Sequence, residues 1–149
     1  MDYQKVLVEH YRRRDSEGKL EEPFAEGHMV NRSCGDELTL YLDTGVDKSG
    51  ASVVRRVSYI GRGCSVCIAS ADILCSEIKG LSISRAREIA AEFLRSLQPH
   101  SEADSGESAA EHLPGDIPAL LALRDYPMRQ KCATMAWNIL LDLTGETPA

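Results

Sequence analysis

Hydrophobic positions recur along this chain with two different periods, and the changes between them divide it into helices and strands. Residues 2–14 repeat at helical spacing through Tyr3, Val6, Leu7, His10 and Tyr11, and Arg12-Arg13-Arg14 place positive charge at the C-terminal end of the dipole. Residues 15–27 are polar and broken by Gly18, Pro23 and Gly27, which predicts a loop. The period then falls to two. A short edge strand is expected near 28–32, and Glu37 to Leu42 alternates polar with apolar. Asp43 to Gly50 has turn composition, and Ala51 to Ile60 is β-branched, with Val53, Val57 and Tyr59 on one face and Val54 on the other. Short connections make these strands an antiparallel meander.

Helical spacing returns at residues 65–79. Cys67, Ile68, Ala71, Leu74, Cys75 and Ile78 share one face there, with Asp72, Ser76 and Lys79 on another, and Gly80 ends the run. Ser82 opens a further helix to about Leu97, whose stripe is Ile83, Ala86, Ile89, Ala90, Phe93 and Leu97. Residues 98–115 contain no Lys or Arg and are rich in Ser, Glu, Ala, Gly and Pro, which predicts an exposed insertion. Asp116 is placed to cap a short helix carrying Ile117, Leu120, Leu121 and Leu123. Pro127 precedes a last helix over 129–144, ended by Gly145. The expected architecture is α+β: a small antiparallel three-stranded sheet packed against about five helices, in a single domain spanning 1–149.

Composition narrows the function classes. A chain of 149 residues can bury a core without disulfide staples. Its net charge of −6 argues against binding nucleic acid or an anionic membrane. No apolar run approaches the roughly 20 residues of a membrane span, and Met1-Asp2-Tyr3-Gln4-Lys5 leads into a charged amphipathic segment rather than an apolar leader. A cytoplasmic setting with reduced thiols is the expectation. Clustered cysteines there are more often metal ligands or nucleophiles than bridges.

Three of the five cysteines have special settings. Cys34 and Asp36 flank Gly35, and in extended backbone residues two apart face the same side, roughly 6.5–7 Å apart at Cα. A thiolate and a carboxylate so placed can reach one ion, although Cys-Gly-Asp is also an ordinary turn composition. Cys64 follows Gly61 and Gly63 at the mouth of a helix, where free N–H groups favour a thiolate. Cys132 lies on an apolar helical face and alone would read as packing. Its expected place in the first turn, beside Arg129 and Lys131, favours a site role. Three thiolates and one carboxylate around a divalent cation carry an excess of two negative charges. Arg129, three residues before Cys132, is expected to stand just behind the ligands and offset that charge rather than pair with Asp125. Cys67 makes a C-x-x-C with Cys64, but no thioredoxin-like βαβ pattern surrounds it; it reads as a core or neighbouring thiol, and Cys75 as core. None of the histidines at 10, 28, 100 and 112 has ligand spacing with the cysteines, His28 being the nearest to a strand start.

The whole pattern resembles a known family. Asn31-x-x-Cys34-Gly35-Asp36, Gly61-x-Gly63-Cys64-Ser65-x-x-x-Ala69-Ser70 and Arg129-x-Lys131-Cys132-Ala133-Thr134-x-x-Trp137 are similar, in this order, to the motifs of the IscU/NifU-N scaffold superfamily. The branch resembled is SufU. Lys131 stands where IscU-type proteins have a histidine, and Asp125-Tyr126-Pro127-Met128-Arg129 replaces their Leu-Pro-Pro-Val-Lys; the insertion at 98–115 fits the same branch. The chain departs from the family at Arg32-Ser33, where a proline usually precedes the motif cysteine, and at the additional thiol Cys67, which leaves a different ligand set as an alternative.

The resemblance implies a zinc ion held by Cys34, Asp36, Cys64 and Cys132. It implies a sulfurtransferase role: accepting persulfide sulfur from a SufS-type cysteine desulfurase, a pyridoxal phosphate enzyme, and passing it to a downstream iron–sulfur scaffold. Cys34, on a strand-to-strand loop, is the expected acceptor. The competing expectations are a scaffold for a transient [2Fe–2S] cluster on the same ligands and a purely structural zinc module. By the same resemblance the chain is expected to be a monomer that engages a dimeric desulfurase.

Overall fold

The computed structural model describes residues 2–23, 25–98 and 113–145. Its order is α1 (Tyr3–Arg13), β1 (Ala25–Asn31), β2 (Asp36–Val46), β3 (Ser52–Arg62), α2 (Ser65–Ile78), α3 (Ile83–Ser96), a 3₁₀ helix (Ile117–Asp125) and α4 (Pro127–Thr144). The strands form one antiparallel sheet in the order β1-β2-β3. This is the expected α+β architecture, with a three-stranded sheet and five helical elements among the described residues. The insertion expected at 98–115 lies almost wholly outside the described residues.

One face of the sheet is apolar because Leu38, Leu40 and Leu42 alternate onto it and are fully buried. Each contributes about 1.5–3 kcal/mol relative to an exposed side chain. Helix α2 lies at the centre, packed against β3, α1 and α4. Being covered on several sides it is buried almost all round, and Asp72, expected off the apolar stripe, is 1% exposed. No helix among the described residues is long and apolar enough to cross a membrane.

The strands run further than their composition suggests. β1 begins at Ala25, inside the expected loop, and β2 continues through Asp43-Thr44-Gly45 to Val46. The turn is confined to Asp47–Gly50, where the Asp47 carboxylate accepts hydrogen bonds from the Ser49 and Ala51 N–H groups. Asp43 pairs with Arg56 but Thr44 with Val54, so Arg55 is an extra residue, a β-bulge. The bulge resets the alternation. Val54 is therefore buried together with Val57 and Tyr59, not opposite them, while Arg55 and Arg56 both reach the Asp43 carboxylate.

β3 also passes through Gly61, paired with Leu38, to Arg62. Gly61 is thus no turn. A Cβ there would stand 2.8 Å from Leu38 Cδ1, so its smallness serves packing. The chain bends at Gly63, between β3 and α2.

Candidate metal centre

Three separate pieces of chain meet at one end of the sheet. The first is the hairpin between β1 and β2, where Asn31 pairs with Asp36 across four turn residues. Gly35 has φ +70 with open space around its Cα, so the turn requires a glycine for its backbone conformation alone. The turn leaves Cys34 exposed and starts β2 on Asp36, which is fully buried.

The second piece is the β3–α2 junction. Gly63 has φ +139, and a Cβ on it would lie 2.2 Å from Asp36 Oδ1 and 2.7 Å from Asp36 Cα. The glycine serves two ends at once, a left-handed backbone and the close approach of Asp36. Cys64 is the N-cap of α2, and its N–H donates to Asp36 Oδ1 at 2.8 Å. Its Sγ lies 3.9 Å from Asp36 Oδ2.

The third piece is α4, which begins at Pro127, two residues earlier than expected. Cys132 consequently lies in the second turn, not the first, and its setting owes nothing to free N–H groups. It is buried. Burial, with Asp36, Cys64 and Cys34 beside it, pushes its thiol well above the ordinary range.

One ligand atom from each of Cys34, Asp36 and Cys132 lies within 4.8 Å of the other two, and Cys64 joins them through Asp36. Ligands at about 2.3 Å (S) and 2.0–2.2 Å (O) on a tetrahedral ion stand roughly 3.5–3.8 Å apart. Cys34, Asp36 and Cys132 therefore need only a small contraction to share a cation, while Cys64, outside that group, must come closer to at least one of them. The chemistry fits as well: a buried carboxylate among clustered thiols lacks a positive charge, which a divalent ion supplies while releasing thiol protons.

Other side chains fall differently. Cys67 is fully buried in the core behind the site, and burial first, then Asp36, Cys64 and Cys34, pushes its thiol up to about 12. Cys75 is buried in the core as expected. Arg129 and Lys131 are exposed on α4, and the Arg129 side chain makes no polar contact with the thiols among the described residues. His28 Nε2 lies 2.9 Å from Glu37 Oε1 on the exposed face of the sheet.

Two polar features were not foreseen as part of the architecture. Asn31 directs its side chain at Cys132, with Nδ2 3.8 Å from Sγ. Farther off, His10 bridges two carboxylates, Nδ1 at 2.7 Å from Asp72 and Nε2 at 2.7 Å from Asp116. Asp72 also accepts from the Ser16 N–H and the Tyr59 hydroxyl. The hint was Asp72 itself, an acid in a helix whose residues from Ser65 to Ser76 are otherwise small or apolar.

Residues 2–133 match the family described as NifU-like N terminal domain. The zinc-dependent sulfurtransferase SufU of Bacillus subtilis is 31% identical over 138 residues, 93% of this chain and 86% of that one. An iron–sulfur cluster assembly scaffold protein IscU of Thermotoga maritima is 28% identical over 140 residues, covering 94% and 90% of the two chains. Among solved structures, a putative iron–sulfur cluster assembly scaffold protein for the SUF system from Fervidobacterium islandicum superposes with a TM-score of 0.74 at 25% identity, covering 94% of each chain. The N-terminal part of a NifU-like protein from Brucella abortus shares the fold, with a TM-score of 0.74 at 21% identity over 95% of this chain and 91% of that one.

Proposed function

The chain belongs to the NifU-like N-terminal domain family of iron–sulfur cluster assembly proteins, and from that premise we propose that it is a SufU-type sulfur acceptor. In this reading Cys34, Asp36, Cys64 and Cys132 hold a zinc ion, and a SufS-type cysteine desulfurase is the cytoplasmic partner that supplies sulfur. The observation that carries the reading is the asymmetry of the donors. Cys34 is exposed on a hairpin, whereas Asp36 and Cys132 are buried and Cys64 is half-buried at a helix cap.

Bound zinc would organise the three pieces of chain and keep the thiols ionised. The chain's own part is to present Cys34 while the other donors stay in place. With Asp36 and Cys132 buried and Cys64 half-buried, Cys34 would be the donor given up when the desulfurase docks, and zinc, if bound, would keep its thiol ionised. The Cys34 thiolate then attacks the outer sulfur of the desulfurase persulfide. A new S–S bond forms on Cys34, the old one breaks, and the desulfurase cysteine departs as a thiolate, with no net oxidation. The recipient is a downstream iron–sulfur scaffold. Arg129, exposed one turn before Cys132, supplies positive charge at the rim to oppose the excess anionic charge of the ligands.

The test is desulfurase turnover with and without this protein, followed by mass spectrometry of the product. Turnover should rise, and one added sulfur should sit on Cys34. A Cys34→Ala variant that still accepts sulfur normally sinks the proposal. Likeness to the IscU scaffold proteins favours one other reading, transient assembly of a [2Fe–2S] cluster on the same residues. Protein prepared without oxygen separates the two: colourless with one zinc for the acceptor, brown with iron and sulfide for the scaffold.

A further inference from the structure

Asn31 ends β1, and three of its polar groups have distinct partners. Its backbone carbonyl accepts from the Cys34 N–H at 3.3 Å, and Oδ1 accepts from the Ser33 N–H at 3.2 Å. Those two bonds shape the turn that carries Cys34. The Oδ1 bond also orients the amide, because a backbone N–H can only donate to the oxygen. Nδ2 must then be the end that faces Cys132 Sγ, at 3.8 Å on another element 101 residues away. A thiolate is a pure acceptor, so an amide donor aimed at it spreads its charge and holds it in place.

We propose that Asn31 is a positioning residue that marks Cys132 as the retained ligand and leaves Cys34 as the one that exchanges. The inference rests on the metal reading above and deepens it. A donor hydrogen bond makes the Cys132 sulfur a poorer nucleophile and a poorer candidate for release, and burial adds to this. The same side chain builds the turn that exposes Cys34. Asn31 thereby couples the two behaviours: the side chain whose Oδ1 shapes the hairpin turns its Nδ2 to the opposite thiol.

Two variants separate turn building from sulfur contact. Asn31→Ser keeps a hydroxyl able to accept from Ser33 but is too short to reach the sulfur, and Asn31→Ala removes both functions. The measurements are zinc affinity by competition with a chromophoric chelator, and the rate at which each cysteine of the zinc-loaded protein is alkylated, read by mass spectrometry. Trp137 fluorescence reports folding. In the native protein Cys34 should react well before Cys132. In both variants zinc affinity should fall about 10- to 100-fold, and Cys132 should become reactive on the timescale of Cys34.

Asn31→Ser with native affinity and native alkylation order overturns the inference, since Asn31 then only builds the turn. Native protein that binds no zinc overturns the metal reading and this inference with it. Variants that behave as expected in a protein that fails to accept sulfur uphold this inference and overturn the proposed function.

Discussion

Gly63 carries the tightest steric constraint around the site. Any side chain there meets both a left-handed φ and Asp36, whose carboxylate oxygen would lie 2.2 Å from the new Cβ. Gly63→Ala should therefore destabilise the fold by about 2 kcal/mol or more, measured by urea unfolding, and weaken zinc binding as well. A glycine before a helix was visible in the sequence; the reason it cannot be replaced was not, because Asp36 comes from another strand. His10 gives a second test at this scale. Its hydrogen bonds to Asp72 and Asp116 outweigh partial burial and raise its pKa above the ordinary 6.5. A raised folded pKa means the stabilisation is fully present below the unfolded value and is lost as pH rises through the folded one. Once neutral, the imidazole turns a lone pair toward one of the two carboxylates. Urea midpoints of the native protein should fall as pH rises above about 6.5, and His10→Gln should remove that part of the slope.

At the scale of elements, α2 and α4 are locked together by one buried hydroxyl. Ser70 Oγ donates to the Ala133 carbonyl at 2.5 Å and accepts from Trp137 Nε1 at 2.9 Å. Both helices carry ligand candidates, Cys64 at the cap of α2 and Cys132 next to Ala133. Ser70→Ala leaves the buried indole N–H without a partner and the Ala133 carbonyl with its helical bond alone, at a cost of about 1–3 kcal/mol. The change should appear as a lower urea midpoint and an altered Trp137 emission. The motif residues Ser70, Ala133 and Trp137 were legible as a pattern, and this contact is what joins them. Element boundaries were less legible. β2 and β3 outran their turn-like residues because pairing across the hairpin, with Asp43 held by Arg55 and Arg56, overrides local preference.

At the scale of the molecule, the candidate ligands tie a hairpin, a strand–helix junction and a late helix into one unit. Zinc that binds only the folded state at a thousand times its dissociation constant adds about 4 kcal/mol. Removing it with a chelator should lower Tm by roughly 8–16 °C in a chain of this size, and restoring zinc should reverse the loss. A Tm that ignores the chelator would argue against metal in this pocket. The described part of the chain has its core around α2, so the pocket sits at the edge of the most buried helix rather than on a peripheral loop.

Periodicity, caps and glycines, all local along the chain, sufficed for the number and order of the elements, the α+β class and the cysteines and aspartate worth watching. Those features act between residues a few positions apart, so they leave a trace in the sequence. Tertiary structure alone decided that Asp72 is buried under His10, that Arg55 bulges, and that Asn31 addresses Cys132 while Cys34 stays exposed. These contacts join residues far apart in the chain, and no period records which side chains such a closure brings together.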